Sequence, residues 1–412
     1  MFILTNARLL DIDHEVDDGR YSIRVDGDRI TAVSREPIDA DGAEVIDVGG
    51  RTVMPGLIDC HAHVVASIAS LGVNARLPNT FAVLRAVPIL AAMLKRGFTT
   101  VRDAGGADYA LARAVEDEII DGPRLFVSGK ALSQTGGHGD FRERFDNTDP
   151  DPCGCGRNLG AIGRIVDGVD DMRRAVREEM RAGASQIKIM ASGGVASPTD
   201  PIGNTQFSID EVKAAVEEAI AHQTYVMAHA YDGRAIKRVV ELGVRTIEHG
   251  NLIDDEAAAV MAAHGAYAVP TLVTYDAMSR VGAEMGLSAA VLEKNEAVRI
   301  QGLKALDILK RHGVKMGLGT DLLGDMHRFQ CDEIVIRAGI LGNFEAICQA
   351  TAIGGEIVGQ KGEKVGVVAV GARADLLVVD GDPLADITVL AGQGERLNGV
   401  IKGGKWATRE DI

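Results

Sequence analysis

The chain reads as an α/β protein, a (β/α)8 TIM barrel with a small β-sandwich built from both termini. Three features predict this. Through the middle of the chain, short β-branched runs alternate with long helical patterns eight times over, as parallel strands covered by helices require. Both ends read as short strands cut by glycine turns, and neither end has enough strands for a core of its own. No glycine-rich dinucleotide fingerprint follows any strand, which weakens an open doubly wound sheet.

At the N-terminal end, residues 3–10 are apolar-rich, and 21–25 alternate before Asp26-Gly27-Asp28, a hairpin-type turn. Residues 29–33 and 45–48 follow. At the other end, 364–370, 374–380 and 399–404 have the same texture. Residues 1–55 and 362–412 are therefore expected to form the composite sandwich, and 56–361 the barrel. Candidate barrel strands are 56–60, 99–102, 125–128, 186–190, 225–228, 245–248, 267–269 and 315–319. Helical patterns at 83–95, 170–182, 209–221, 233–242, 254–264 and 289–312 lie between them. Ser208 with Glu211 is a capping-box pattern. One connection, 133–168, is long and irregular. It follows the third strand, which places it as a lid or binding loop on the C-terminal face, where barrel active sites lie.

Composition narrows the function. Lys plus Arg number 44 against 59 Asp plus Glu, and a net charge of −15 disfavours nucleic acid and anionic membranes as partners. No apolar run reaches the ~18–20 residues of a membrane-spanning helix. The first residues lack the basic-then-apolar layout of a signal peptide and read as a strand. Five cysteines without framework spacing suit a reducing compartment. A cytoplasmic homo-oligomer is expected.

The chemistry lies at strand ends. His61-Ala62-His63 closes the first barrel strand, and side chains at i and i+2 share a face, so both imidazoles can reach one metal. Alone, that spacing matches packed core histidines equally well. Lys188, between Ile187 and Ile189, should point inward; an unpaired buried ammonium tends to lose its proton, whereas a paired one is merely structural. His229 and His249 end the fifth and sixth strands, and Asp321 the eighth. Each has a bland alternative: a core histidine, or a helix N-cap for Asp321. Together they form a set that chance rarely produces. Glu248, one residue before His249, should face away from it and stay out of the metal shell. His138 sits in the long loop, as a binding residue or a solvated one. Tyr231 is expected at the pocket mouth, or packed on the helix it opens. Cys153 and Cys155 read as free thiols and Trp406 as packing.

The run Val53-Met54-Pro55-Gly56-Leu57-Ile58-Asp59-Cys60-His61-Ala62-His63, with Lys188, His229, His249 and Asp321, resembles the amidohydrolase superfamily with a binuclear metal centre. The resemblance covers the whole chain. Ser133-Gln134-Thr135-Gly136-Gly137-His138, Lys188-Ile189-Met190-Ala191-Ser192-Gly193-Gly194-Val195 and His229-Ala230-Tyr231 look closest to its prolidase-like branch, related to imidazolonepropionase. That branch contains Xaa-Pro dipeptidases, zinc carboxypeptidases and hydrolases of N-acyl amino acids. A hydrolase of ochratoxin, an amide of phenylalanine, is also similar to it.

The resemblance implies two divalent metal ions, with zinc the first expectation. His61, His63 and Asp321 would bind a buried ion and His229 and His249 a more exposed one, bridged by a hydroxide and by Lys188 carboxylated with carbon dioxide. It implies an amide hydrolase that cleaves dipeptides or N-acyl amino acids. No acidic cluster marks a pocket for Arg or Lys, which favours Pro or another apolar C-terminal residue. Asp321 would shuttle protons, and His138 would polarise the scissile carbonyl. Tyr231 and the backbone amides of Gly193, Gly194 and Val195 would receive the substrate carboxylate. Other amidohydrolase chemistry, on ochratoxin-type amides, cyclic amides or imidazolonepropionate, is the alternative, and a non-catalytic metal-binding barrel a distant one.

Overall fold

The computed structural model describes residues 1–13, 19–142, 145–146, 158–197, 200–359 and 362–410; Cys153 and Cys155 lie outside them. Both ends of the chain meet in one eight-stranded hydrogen-bonded sheet. Phe2–Leu9 pairs antiparallel with Tyr21–Asp26 and parallel with Glu44–Asp47 and Thr52–Pro55. Thr52–Pro55 then pairs antiparallel with Leu376–Val379 from the far end of the chain, and Leu397–Lys402 and Lys405–Arg409 complete that edge. Burial explains why the ends need each other. Leu4, Ile23 and Ile30 share a core with Leu376, Val378 and Ile401, so neither set can exclude water alone.

Two of these strands, Thr52–Pro55 and Lys405–Arg409, are not among those expected from the sequence; the first is buried along its whole length and so carries no alternation. Conversely, residues 364–370, expected as a strand, form none. Val365 and Val368 are buried, but Gly366 and Gly371 adopt φ of +76° and +83°, which turns the chain out of extended geometry. Trp406 packs as expected, its ring centroid 5.7 Å from that of Phe2.

Between the ends, strand and helix alternate. Leu57–Ala62, Phe98–Asp103 and Arg124–Val127 are parallel neighbours. So are Ile187–Met190, Val226–Asp232, Thr246–Leu252 and Tyr267–Val269. Backbone bonds join the two groups on both sides. The Ser185 N–H donates to the Val127 carbonyl at 2.7 Å. Across the other gap runs segment 315–319: Ala268 donates to Lys315, Gly317 to Ala268 and Cys60 to Leu318, at 2.7–3.0 Å. This segment, expected as the eighth strand, registers only as an isolated bridge between Met316 and Ala268.

Helix Ile209–Ala221 opens on the expected capping box, with Ser208 and Glu211 exchanging hydrogen bonds, a device that contributes about 1 kcal/mol. Val212, Val239 and Ala257 on the helices share a core with Ile187, Ile189, Val226 and Ala228 on the strands. One strand face is therefore spent on helix packing, and alternation frees the other for Lys188, Met190 and His229. Two short parallel strands, Ala131–Ser133 and Gly163–Ile165, lie at the two ends of the long connection, and the sequence suggested neither. Among the described residues no helix is long and apolar enough to cross a membrane.

Candidate metal centre

One cavity is lined by His61, His63, Lys188, His229, His249 and Asp321, together with His138. His61 and His63 lie at the end of the first parallel strand, their ring centroids 5.4 Å apart. His229 and His249 come from neighbouring strands, their centroids 4.6 Å apart. The Asp321 N–H donates to the His61 carbonyl at 2.8 Å. That bond brings the Asp321 carboxylate to 3.5 Å from His61 Nε2 and 3.3 Å from His63 Nε2. His61, His249 and Asp321 offer donor atoms that all lie within 4.8 Å of one another. His249 and Asp321 also adopt left-handed backbone, with φ of +72° and +51°. Side-chain-bearing residues rarely do so, and such strain gathers at functional sites.

The hydrogen bonds behind the rings show whether this set suits metal ions. A carbonyl or carboxylate only accepts, so a ring nitrogen facing one carries N–H and leaves its lone pair on the other nitrogen. His61 Nδ1 donates to the Glu248 carboxylate at 2.7 Å, and His63 Nδ1 to the Gly105 carbonyl at 2.8 Å. His229 Nε2 donates to the Gly193 carbonyl at 3.1 Å, and His249 Nδ1 bonds the Thr271 hydroxyl at 2.8 Å. Metal-binding histidines are tied from behind in this way. Burial, together with neighbouring rings, holds His229 and His249 well below the usual histidine range, so both are neutral. Burial would lower His63 too, but the Asp321 carboxylate draws it up; a divalent ion at its Nε2 would displace that proton.

Burial brings the Lys188 ammonium down to about 8, against the pull of the Glu248 and Asp321 carboxylates. A neutral amine is thus accessible near physiological pH. Four back-tied imidazoles, a carboxylate and a buried amine fit divalent ions of the zinc type.

His138 is buried and stacks on His229, with centroids 4.2 Å apart and planes 20° apart. Its N–H donates to Gln206 Oε1, and its Nδ1 lies 2.9 Å from Ser197 Oγ. The Ser197 proton goes to the Asp200 carboxylate, so Oγ accepts from His138 Nδ1–H and Nε2 is left for a substrate. Neither Ser197 nor Asp200 stood out in the sequence, because their partner is about sixty residues away.

The glycine turn departs from expectation. The Gly193 N–H donates to the Asn204 carbonyl at 2.9 Å, and the Gly194 N–H to Asp200 at 3.1 Å, so neither is open to an anion. A side chain on Gly194 would run into the His138 ring, so this glycine serves close packing. Val195 is buried, and its amide makes no backbone bond among the described residues. Tyr231, expected at the pocket mouth, is buried instead. Its ring stacks on His249 at 5.4 Å, and its hydroxyl bonds that of Tyr275 at 2.7 Å. The buried Tyr275, from the helix Leu272–Val281, covers it.

Glu248 is the residue that sequence reasoning misplaced. Strict alternation puts it on the face opposite His249. Ile247 packs with the helices, so Glu248 faces the interior, where it bonds His61, and the left-handed φ of His249 breaks the alternation by turning His249 into the same interior. Burial opposes its charge, but the Arg102 guanidinium and then the His61 ring hold it down to about 2. Arg102 donates to it from one nitrogen at 2.9 and 3.0 Å.

Residues 52–406 match the Amidohydrolase family. This chain belongs to the amidohydrolase family. The amidohydrolase is 33% identical over 373 residues to ochratoxinase from Aspergillus niger, across 86% of this chain and 75% of that one. It superposes on the crystal structure of a prolidase complexed with N-methylphosphonate-L-proline with a TM-score of 0.96. Identity there is 56%, over 99% of this chain and 100% of the prolidase. An Xaa-Pro dipeptidase with bound methionine aligns with a TM-score of 0.85 and 29% identity, over 98% and 99% of the two chains. The resemblance to the prolidase-like branch of the amidohydrolases therefore holds.

Proposed function

We propose that this amidohydrolase is a binuclear metal-dependent hydrolase of dipeptides ending in proline or another apolar residue, or of N-acyl amino acids. The observation that carries this reading is the convergence of four back-tied imidazoles, Asp321 and buried Lys188 on one cavity. The similarity to a prolidase whose structure holds a proline derivative supports the substrate class. Apolar walls from Leu71, Phe141, Ile162 and Leu323 support it too. The scaffold is read as a (β/α)8 barrel over 56–361 with a sandwich from 1–55 and 362–412, supported by backbone bonds that pass from strand to strand around the parallel set.

His61, His63 and Asp321 would hold one ion, and His229 and His249 the other. Lys188 would react as its neutral amine: an N–C bond to carbon dioxide forms, a proton leaves, and the anionic carbamate can bridge two cations. Bound divalent ions would supply a water-derived nucleophile near neutral pH and polarise the amide carbonyl. Asp321 then accepts a proton on its carboxylate and returns it to the leaving amine. His138 orients the scissile carbonyl from Nε2, its ring fixed by Ser197 Oγ at 2.9 Å from Nδ1 and by the Asp200 carboxylate at 3.6 Å. The Val195 amide remains to meet the substrate carboxylate, and the Tyr231 hydroxyl could join it only by sharing or leaving its bond to Tyr275.

The test is a substrate panel with metal analysis on purified protein. Xaa-Pro dipeptides or N-acyl amino acids should be cleaved, with about two zinc ions bound per chain. Cleavage of hydantoin or imidazolonepropionate alone would overturn the reading.

A further inference from the structure

Beneath the cavity lies a charged layer that the reaction does not touch. Arg102 and Glu248 are both fully buried, with Arg102 among the largest such side chains of the described residues. Arg102 uses every edge of its guanidinium. Nε donates to the Cys60 carbonyl at 2.6 Å, one terminal nitrogen to the Tyr225 and Thr246 hydroxyls, and the other to both Glu248 oxygens. Glu248 also accepts from the Thr246 hydroxyl at 2.6 Å and from His61 Nδ1 at 2.7 Å. The pair thus grips the strand that carries His61 twice, through the Cys60 carbonyl and through the imidazole.

A buried ion pair is a poor source of stability, since apolar side chains of similar volume do as well or better. Its presence here asks for another reason. The four histidines are not backed equally: His63 and His229 face carbonyls and His249 a hydroxyl, whereas His61 faces a full carboxylate. A carboxylate behind an imidazole fixes its tautomer and makes the opposite nitrogen a stronger donor.

We propose that Arg102 and Glu248 are positioning residues that lock His61 with its Nε2 lone pair toward the cavity, making the ion held by His61 and His63 the more tightly bound of two. This rests on the binuclear reading above.

The test is chelator competition on the zinc-loaded protein, for wild type, Glu248→Gln and the double variant Arg102→Met/Glu248→Leu. The double variant removes both charges together and keeps the interior apolar. Wild type should release zinc in two steps. In the variants the tighter constant should weaken 10- to 100-fold, while the weaker stays within about threefold. Cobalt-loaded protein should show a matching change in its visible spectrum. If neither variant folds, histidine ¹⁵N spectra of the loaded wild type decide, with His61 expected in the Nδ1–H form. A folded variant with both wild-type constants, or His61 in the Nε2–H form, would overturn the proposal. A wild type that binds no zinc would instead overturn the binuclear reading itself.

Discussion

Gly194→Ala should damage catalysis without touching a ligand. An alanine Cβ there would sit 2.6 Å from His138 Nε2, and nearer still to Cε1 and Nδ1, where ordinary contact begins at 3.4 Å. The ring must therefore retreat by roughly 1 Å. It has little room, because its other neighbour is His229, stacked at 4.2 Å. The glycine is pinned as well: its N–H is held by Asp200 and its carbonyl by Lys294 at 3.4 Å. Its φ is not in the left-handed region, so alanine meets no backbone strain and the perturbation is purely steric. Overpacking of this kind costs about 1–3 kcal/mol of stability, which leaves the fold in place. A misplacement of about 1 Å in an orienting group lowers turnover about 100-fold, or about 2.7 kcal/mol. The assay is kcat and KM on an Xaa-Pro dipeptide, beside zinc content and Tm. We expect kcat to fall about 100-fold at unchanged zinc content. In a His138→Ala background the same substitution should cost little further, since both act through one ring. Wild-type kcat in Gly194→Ala would remove His138 from the reaction.

Four further outcomes follow from the site. Lys188→Ala should lose one ion and nearly all activity, with partial rescue by short carboxylic acids; full occupancy and normal turnover would sink the bridging role. Asp321→Asn should retain much of its metal yet lose about two to four orders of magnitude in kcat, and unchanged turnover would exclude it as the proton shuttle. Amidating the C-terminus of a good substrate should cut kcat/KM by about 100-fold, or about 2.7 kcal/mol; equal cleavage of acid and amide would point to a general amidase. Burial pushes the Cys60 and Cys331 thiols up to about 12, so iodoacetamide at pH 8 should leave both unlabelled until the protein is denatured. Peptide mass spectrometry reads this directly, and native labelling of either would contradict their burial.

The residues of the candidate centre were legible because their signal is local. An HxH at a strand end and a lysine between two isoleucines declare a face through the two-residue period, and histidines closing strand runs mark the same end of the strands. The capping box at Ser208 and the helix that it opens are equally local, and they appear where the spacing put them. What the sequence could not decide depends on the backbone leaving its regular path or on partners far along the chain. One left-handed residue, His249, turns into the interior beside Glu248, and no alternation rule anticipates that. Gly193 and Gly194 promise open amides, yet Asn204 and Asp200 fold back and take them. Residues 364–370 have strand texture, but two glycines turn them aside. Arg102 could as well have been a surface residue, until packing enclosed it against Glu248, 146 positions away. Periodicity assigns a side chain to a face; the partner that it finds there is set by long-range packing, which buried polar groups must satisfy.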